Sequence, residues 1–430
     1  MNILLIGNDG REHALAWKIR QSKLTDKLYI APGNAGTATV GENLPVLTED
    51  FDGIAKICLE KRIHLLVVGP EVPLVKGIRD YLEANPALKN MLIVGPGKEG
   101  AQLEGSKDFS KQFMLRHGVR TAGAKTFSID QLQCGLRYLE TSQMPIVLKA
   151  DGLAAGKGVI ICGTVEEAQT ALTEMLENKL FGEASARVLI EEFLDGIELS
   201  VFVLTNGEDY ILLPEAKDYK RIGDDDKGPN TGGMGAVSPV TFADASFMKK
   251  VEEKIIVPTI AGLRKESIPY RGFIFFGLIN VQGEPYAIEY NARLGDPETE
   301  AVMTRINSDF VESLVWCAGG ESKNSKIVID PAHALTVVMV SGGYPGPYEK
   351  GRVISGLDIP TQAWIFHAGT NTNNEDVVTN GGRVLAVTGK GRSLEEAKNN
   401  AYACASGISW QDVYFRRDIG VDLLQLKNRG

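Results

Sequence analysis

Along the first hundred positions, short apolar runs alternate with longer stretches of helical period. Ile3 to Ile6, Leu28 to Ile30, Leu65 to Val68 and Leu92 to Val94 are each closely followed by Gly or Pro. Runs of this kind, separated by helices, predict a parallel α/β domain. In such a sheet ligands sit where strands end and helices begin. Gly7-Asn8-Asp9-Gly10, Pro32-Gly33-Asn34 and Gly69-Pro70-Glu71 are therefore expected to converge on one edge.

A second α/β region follows from about Lys107 to Phe193. Strands are expected at Ile146 to Lys149, Val159 to Cys162 and Val188 to Glu192, around a helix from Val165 to Glu177, in a unit small enough to move as a lid. From Leu194 to about Gly320 the pattern is of mixed strands and one polar, glycine-rich loop. The last hundred residues carry strand-like Ala334 to Val340 and Val384 to Val387, then a helix from Ser393 to about Ala405. The expected division is 1–103, 104–193, 194–327 and a compact accessory domain over 328–430.

At 430 residues the chain is long enough for two to four domains. Its 43% hydrophobic and 23% charged residues are ordinary for a globular protein. No apolar run approaches the roughly 20 residues of a membrane span, so no membrane partner is expected. The start, Met1 to Gly7, lacks a basic segment and a cleavage site and reads as a first strand. Five scattered cysteines, never in Cys-x-x-Cys spacing, argue against a disulfide framework or zinc site and for a reducing cytoplasm. The net charge of −9 disfavours a nucleic-acid partner but leaves room for a local basic nucleotide site.

The most telling stretch is Lys149-Ala150-Asp151-Gly152-Leu153-Ala154-Ala155-Gly156-Lys157-Gly158. An apolar run delivers two lysines and three glycines into one turn. Glycine lets backbone N–H groups approach an anion, and the ammonium groups supply charge, so the segment reads as a lid over a polyphosphate. A basic hairpin turn would look the same locally. The spacing is not that of a Walker A loop, because Gly152 and Gly156 enclose three residues and Lys157 precedes glycine.

Tyr286 to Arg293 alternates apolar and polar residues, so a strand would put Glu289, Asn291 and Arg293 on one face. Oxygen ligands at i and i+2 suit a magnesium ion that takes the rest of its shell from water and ATP phosphates. Arg293 would clamp a carboxylate or phosphate. The alternative is a solvated face with a Glu–Arg pair. Lys217 to Arg221 leads into the loop Gly228 to Ala236, which brings backbone donors to an anion unless it is a flexible linker. Glu191-Glu192-Phe193-Leu194 ends an apolar strand as an adenine-binding edge would, with Glu198 within reach of a ribose. Gly10 and Arg11 open a helix whose N-terminus suits a phosphate, unless Arg11 and Glu12 are merely an exposed pair. A dinucleotide fingerprint is absent, because Asp9 replaces the middle glycine and no acid ends the second strand.

Taken in order, Leu103 to Lys107, Leu148 to Gly158, Gly228 to Ala236 and Ile288 to Glu298 closely resemble the phosphoribosylamine–glycine ligase family of ATP-grasp enzymes. Gly10 to Leu15, Pro32 to Thr37, Val68 to Leu74, His367 to Thr370, Thr379 to Val384 and Phe415 to Gly420 extend the resemblance over essentially the whole chain. Asp9, where the family usually has glycine, and Tyr219, where many members have histidine, depart from it. The resemblance implies an ATP-grasp fold preceded by a Rossmann-like parallel α/β domain and followed by a small C-terminal α+β domain. It implies ligation of glycine to 5-phospho-β-D-ribosylamine through a glycyl phosphate, with ATP as co-substrate and Mg2+ or Mn2+ as metal, in a monomer.

On that basis ATP is expected at Lys107, Lys149, Asp151, Gly156, Lys157, Gly158, Glu191, Glu192, Phe193, Leu194 and Glu198, and the metal at Glu289 and Asn291. The substrates are expected at Gly10, Arg11, Asn34, Asp218, Lys220, Asn230, Thr231, Gly232, Gly233, Met234 and Arg293. Catalysis falls to Arg293, Lys149 and Asp218. Another ATP-grasp ligase would share the lid and metal strand, a regulatory nucleotide binder would lack metal or phosphate residues, and a dehydrogenase would need the missing fingerprint.

Overall fold

Five parallel strands form the first sheet, in the order Glu42–Asn43, Lys27–Pro32, Asn2–Gly7, Leu65–Val68, Leu92–Val94. The computed structural model describes residues 1–153, 158–322 and 326–427 of the chain. Ile3 lies in register with both Leu28 and Leu65. Its strand is covered on both faces, which explains an apolar run without alternation. The loops leaving the strands meet as expected: Gly33 N–H donates to the Gly7 carbonyl at 3.1 Å and Gly69 N–H to that of Ile6 at 3.0 Å.

A second, antiparallel sheet runs in the order Ala124–Ser128, Arg187–Glu192, Ile146–Ala150, Val159–Cys162. The helices Leu132–Glu140 and Val165–Leu176 pack on it, around Phe127, Leu139, Leu148, Leu172 and Ile190. Thr164 caps the second helix by accepting the Glu167 N–H. This core draws only on residues between 127 and 190, so the unit stands apart from the rest. The helix Lys107–Arg116, expected with the lid, belongs elsewhere: Phe113 packs on Tyr290 with ring centroids 6.3 Å apart. The separate body therefore begins near Ala124.

The central sheet is antiparallel, in the order Tyr210–Leu212, Ile197–Thr205, Gly272–Val281, Glu284–Asn291. The last sheet runs Lys217–Asp218, Gly235–Ser238, His333–Val340, Arg383–Gly391, Trp364–His367, with the helix Leu394–Gly407 against it. Two of its strands come from before residue 328, so the accessory body is not confined to the tail of the chain. The glycine loop feeds Gly235 straight into this sheet, where a Cβ would meet the Thr336 carbonyl at 2.6 Å. Ile3, Phe202, Phe273 and Val338 share one core, which locks the first, central and last sheets together.

Candidate active site

A cleft of about 920 Å³ opens where the small antiparallel unit faces the central sheet. The strand Ile146–Ala150 carries Lys149 to its wall, where the ammonium pairs with Glu191 and donates to the Ile288 carbonyl at 3.3 Å. Lys111, from the helix Lys107–Arg116, reaches the other Glu191 oxygen at 2.7 Å. Burial raises the Glu191 carboxyl, but the two lysines outweigh it and hold it below the usual range. Glu191, expected beside adenosine, thus spends its carboxylate on two cations. Burial lowers Lys107, against the pull of Glu289, and its ammonium donates to the Gly152 carbonyl at 3.1 Å.

Asp151, expected at the phosphates, is turned into the protein. It accepts from Ser106 Oγ at 2.9 Å and Asp108 N–H at 2.8 Å, while Arg187 fills its other oxygen at 3.0 and 2.7 Å. It fixes the base of the glycine loop instead. Gly158 lines the cleft, whereas Gly156 and Lys157 lie outside the described residues. Glu192, Phe193 and Leu194 are not brought to the wall. Glu192 exchanges hydrogen bonds with Gly123, its N–H donating at 3.0 Å and its carboxylate accepting at 3.0 Å. Glu198 does reach the cleft, paired with Lys220 at 2.5 Å.

Glu289 and Asn291 both face the cleft from the edge of the central sheet. Register slips by one residue beside Gly277, which lies opposite Glu289, and a Cβ on Gly277 would stand 2.9 Å from Glu289 Cγ. Among the described residues no cation pairs with Glu289 within ion-pair distance. Nor do three His, Cys, Asp or Glu gather as a metal cage. Two hard oxygen donors, the carboxylate without a lysine, arginine or histidine partner among the described residues, fit a small divalent cation that completes its shell with phosphate and water. The strand ends at Asn291, so Arg293 leaves the expected face. Its guanidinium lies between Glu71 at 3.5 Å and Glu104 at 3.0 Å, still at the cleft wall.

The opposite wall is acidic and buried. Burial raises the Asp218 carboxyl, with Lys220 opposing. Burial would lower Lys220, yet Glu198, Asp218 and Glu289 hold it well above its usual value. Glu298, not singled out from sequence, is pushed up to about 7 by burial and then by Asp218, and accepts from Ser200 Oγ at 2.8 Å. Asn230, Thr231 and Gly232 line the cleft. Gly233 and Met234 do not: Met234 is wholly buried in the shared core, and a Cβ on Gly233 would strike Pro297 Cδ at 2.4 Å.

Arg383 was also missed as a site residue. It donates to the Gly232 and Asp296 carbonyls at 2.7 Å each. So was the terminal helix Val421–Lys427, whose Asp422, Gln425 and Leu426 line the cleft. Tyr219, itself not at the cleft wall, holds that helix by donating to Asp422 at 2.5 Å.

At the first sheet's edge a second cavity of about 640 Å³ shares Asp9 and Arg383 with the cleft. Asn34 borders it, but its amide is committed, donating to the Asn8 and His367 carbonyls at 2.8 and 2.7 Å and accepting from Gly36 and Thr37 at 2.9 Å each. Gly10 is bare because Glu300 fills the space, 2.3 Å from where its Cβ would be. Arg11 is buried rather than exposed. It pairs with Glu12 at 2.5 Å, and its N–H gives the helix N-terminus to Asp296 at 3.1 Å, so this structure seats a carboxylate where a phosphate was expected.

Compared with known families, the chain matches the phosphoribosylglycinamide synthetase N domain over residues 1–104, its ATP-grasp (A) domain over 105–299 and its C domain over 334–422. It is 46% identical over 427 residues to a phosphoribosylamine–glycine ligase of Vibrio vulnificus, with 98% of each chain covered. It is likewise 46% identical over 426 residues to that of Escherichia coli K12, again with 98% of each covered. The crystal structure of the Thermotoga maritima phosphoribosylamine–glycine ligase superposes with a TM-score of 0.84 at 36% identity, covering 97% of this chain and 100% of that one. The biotin carboxylase domain of the Hydrogenobacter thermophilus 2-oxoglutarate carboxylase superposes at 0.71 with 18% identity, over 96% and 91% of the chains, a likeness of fold alone.

Proposed function

The chain belongs to the phosphoribosylamine–glycine ligase family, whose reaction ligates glycine to phosphoribosylamine in purine biosynthesis, and we propose how its residues carry that reaction. One observation supports the reading above all: Lys149 from the small unit and Glu289 from the central sheet face one cleft, with Lys149 Nζ 3.3 Å from the carbonyl just before Glu289.

A glycine carboxylate is a poor acyl donor, so its oxygen attacks the γ-phosphoryl group of ATP and forms glycyl phosphate, releasing ADP. The ribosylamine nitrogen then displaces phosphate from the acyl carbon. No enzyme nucleophile is required, and the protein contributes position and charge. Lys107, Lys149 and the loop through Gly158 neutralise phosphate oxygens, and Glu198 reaches the ribose of ATP. Glu289 and Asn291 would hold the divalent metal that ATP-grasp enzymes use, and when bound it would supply positive charge at the phosphate oxygens. We take it to be Mg2+ or Mn2+, both of which suit a hard oxygen donor set.

Arg293, steadied by Glu71 and Glu104, faces the glycyl and phosphoryl oxygens. Asp218 accepts the amine proton as the C–N bond forms, with Lys220 beside it. Asn230, Thr231 and Gly232 border the glycine and ribosylamine side, and the sugar phosphate points toward Asp9 and Arg383, where the two cavities adjoin. The reading keeps 1–103, 104–193, 194–327 and 328–430 as a division along the sequence only, since the small antiparallel unit begins near Ala124 and the last sheet takes two strands from before residue 328. It also takes the enzyme to be a cytoplasmic monomer without nucleic-acid or membrane partners. No helix among the described residues is long and apolar enough to cross a membrane.

The test is phosphate release with ATP, glycine and freshly made phosphoribosylamine, each omitted in turn. Full release only with all three is expected. Equal release without glycine overturns the reading.

A further inference from the structure

Glu191 is a buried carboxylate with two buried cations, and the reaction needs only one of them. Its side chain is 5% exposed, that of Lys149 6% and that of Lys111 2%. The three come from different elements: Lys149 from the strand Ile146–Ala150, Glu191 from its neighbour Arg187–Glu192, and Lys111 from the helix Lys107–Arg116 on the other side. Lys111 is otherwise held by neutral oxygens, donating to Thr121 Oγ at 2.5 Å and to the Ala122 carbonyl at 3.2 Å. Those bonds tie its ammonium to the cleft wall.

If Lys149 serves a nucleotide phosphate, as proposed above, and turns its ammonium fully to it, the pair with Glu191 is broken. An ionised carboxylate left buried without a cation carries a large desolvation penalty and takes up a proton instead. Around Glu191 the charged groups are Lys149 and Lys111, with Glu192 acting on Lys111 from the same strand. We propose that Lys111 is a positioning residue that remains on Glu191 when Lys149 turns to the nucleotide, so the carboxylate stays ionised and Lys149 is released without a proton being taken up. One carboxylate thus holds Lys149 until the nucleotide takes it, and a second lysine, fixed on Glu191, makes its departure inexpensive in free energy.

The inference rests on the reading that Lys149 binds phosphate, and the two fail differently. ADP with magnesium is titrated calorimetrically into the full-length wild type and Lys111→Met in buffers of different ionisation enthalpy, at pH 6 and pH 8. No ADP binding by the wild type sinks the functional reading itself. Given binding, the expected result is about one more proton taken up per ADP by Lys111→Met than by wild type. Its affinity should fall tenfold or more at pH 8 and recover toward wild type at pH 6. The double variant Lys111→Met/Glu191→Gln should lose the extra uptake.

Affinity within twofold of wild type without extra uptake overturns the proposal. So does a loss of affinity that is the same at both pH values, which is what a merely structural brace would give. Should Lys111→Met not fold, the wild type crystallised with ADP and magnesium decides: Lys149 on a phosphate oxygen with Lys111 still on Glu191 supports the proposal, and Lys149 still on Glu191 overturns it.

Discussion

The Arg383 guanidinium lies 3.0 Å from the Asp296 carboxylate, joining the last sheet to the turn that follows the Glu284–Asn291 strand. Arg383 also borders both cavities. Planar bidentate recognition is what a guanidinium offers and an ammonium does not. Arg383→Lys should therefore raise the KM for phosphoribosylamine about tenfold or more while leaving the KM for ATP nearly unchanged. Steady-state kinetics with each substrate varied separately check this, and an unaltered phosphoribosylamine KM removes Arg383 from the substrate side.

Among the described residues no cation pairs with Glu289 within ion-pair distance, so its removal should disturb chemistry more than folding. Glu289→Ala is expected to melt near the wild-type temperature and to lose about 10²- to 10³-fold in kcat, the scale seen when one electrostatic contact to a developing charge is removed. Differential scanning calorimetry and turnover at saturating magnesium test both halves. Retained turnover contradicts the metal role.

Lys149→Ala leaves Glu191 with Lys111, still compensated, so the fold should survive. Losing a charged hydrogen bond of about 1.5–3 kcal/mol predicts ATP binding weakened roughly 10- to 100-fold. Unchanged affinity in calorimetry would move Lys149 out of the site.

Glu298 makes stability depend on pH in a stated direction. Its carboxyl is raised from 4.5 to about 7, by burial and then by Asp218, so between those values the folded state binds more protons than the unfolded one. Stability from this group is full below pH 4.5 and is lost as pH rises through 7, by on the order of 3 kcal/mol. Glu298→Gln keeps an acceptor for Ser200 without the titration. Its melting temperature should gain on wild type more at pH 8 than at pH 5. An equal difference at both would show that Glu298 is ionised alike in both states.

Much of this was legible along the chain because strands of the parallel sheet are apolar for local reasons. Lys149 and Glu289 were legible because each closes or punctuates such a run. What sequence could not display was competition for a side chain by partners far away. Asp151 looks like part of a phosphate loop until Ser106, Asp108 and Arg187 claim both its oxygens. Asn34 is likewise consumed by the distant His367 carbonyl, and the Arg11 guanidinium is shared between neighbouring Glu12 and the distant Leu294 carbonyl. Met234 sits in a polar loop by sequence but is drawn into the core because Gly235 starts a strand beside His333–Val340. Arg383 and Asp422 come from a region whose pattern reads as accessory, and only the sheet shared across positions 217 to 391 brings it to the cleft.

Gly277 offers a test of the metal strand that touches none of the proposed ligands. It faces Glu289 across the two strands, where a Cβ would sit 2.9 Å from Glu289 Cγ, closer than ordinary van der Waals contact. Its φ lies outside the left-handed region, so alanine is sterically acceptable to the chain itself. The crowding must therefore be relieved by the Glu289 side chain. Gly277→Ala should fold, bind ATP in the absence of metal as wild type does, and require several-fold more magnesium for half-maximal turnover. Displacement by even about 1 Å is enough for an effect of that size in a preorganised site. Wild-type magnesium dependence would mean that the Glu289 carboxylate does not have to hold its present position for the reaction.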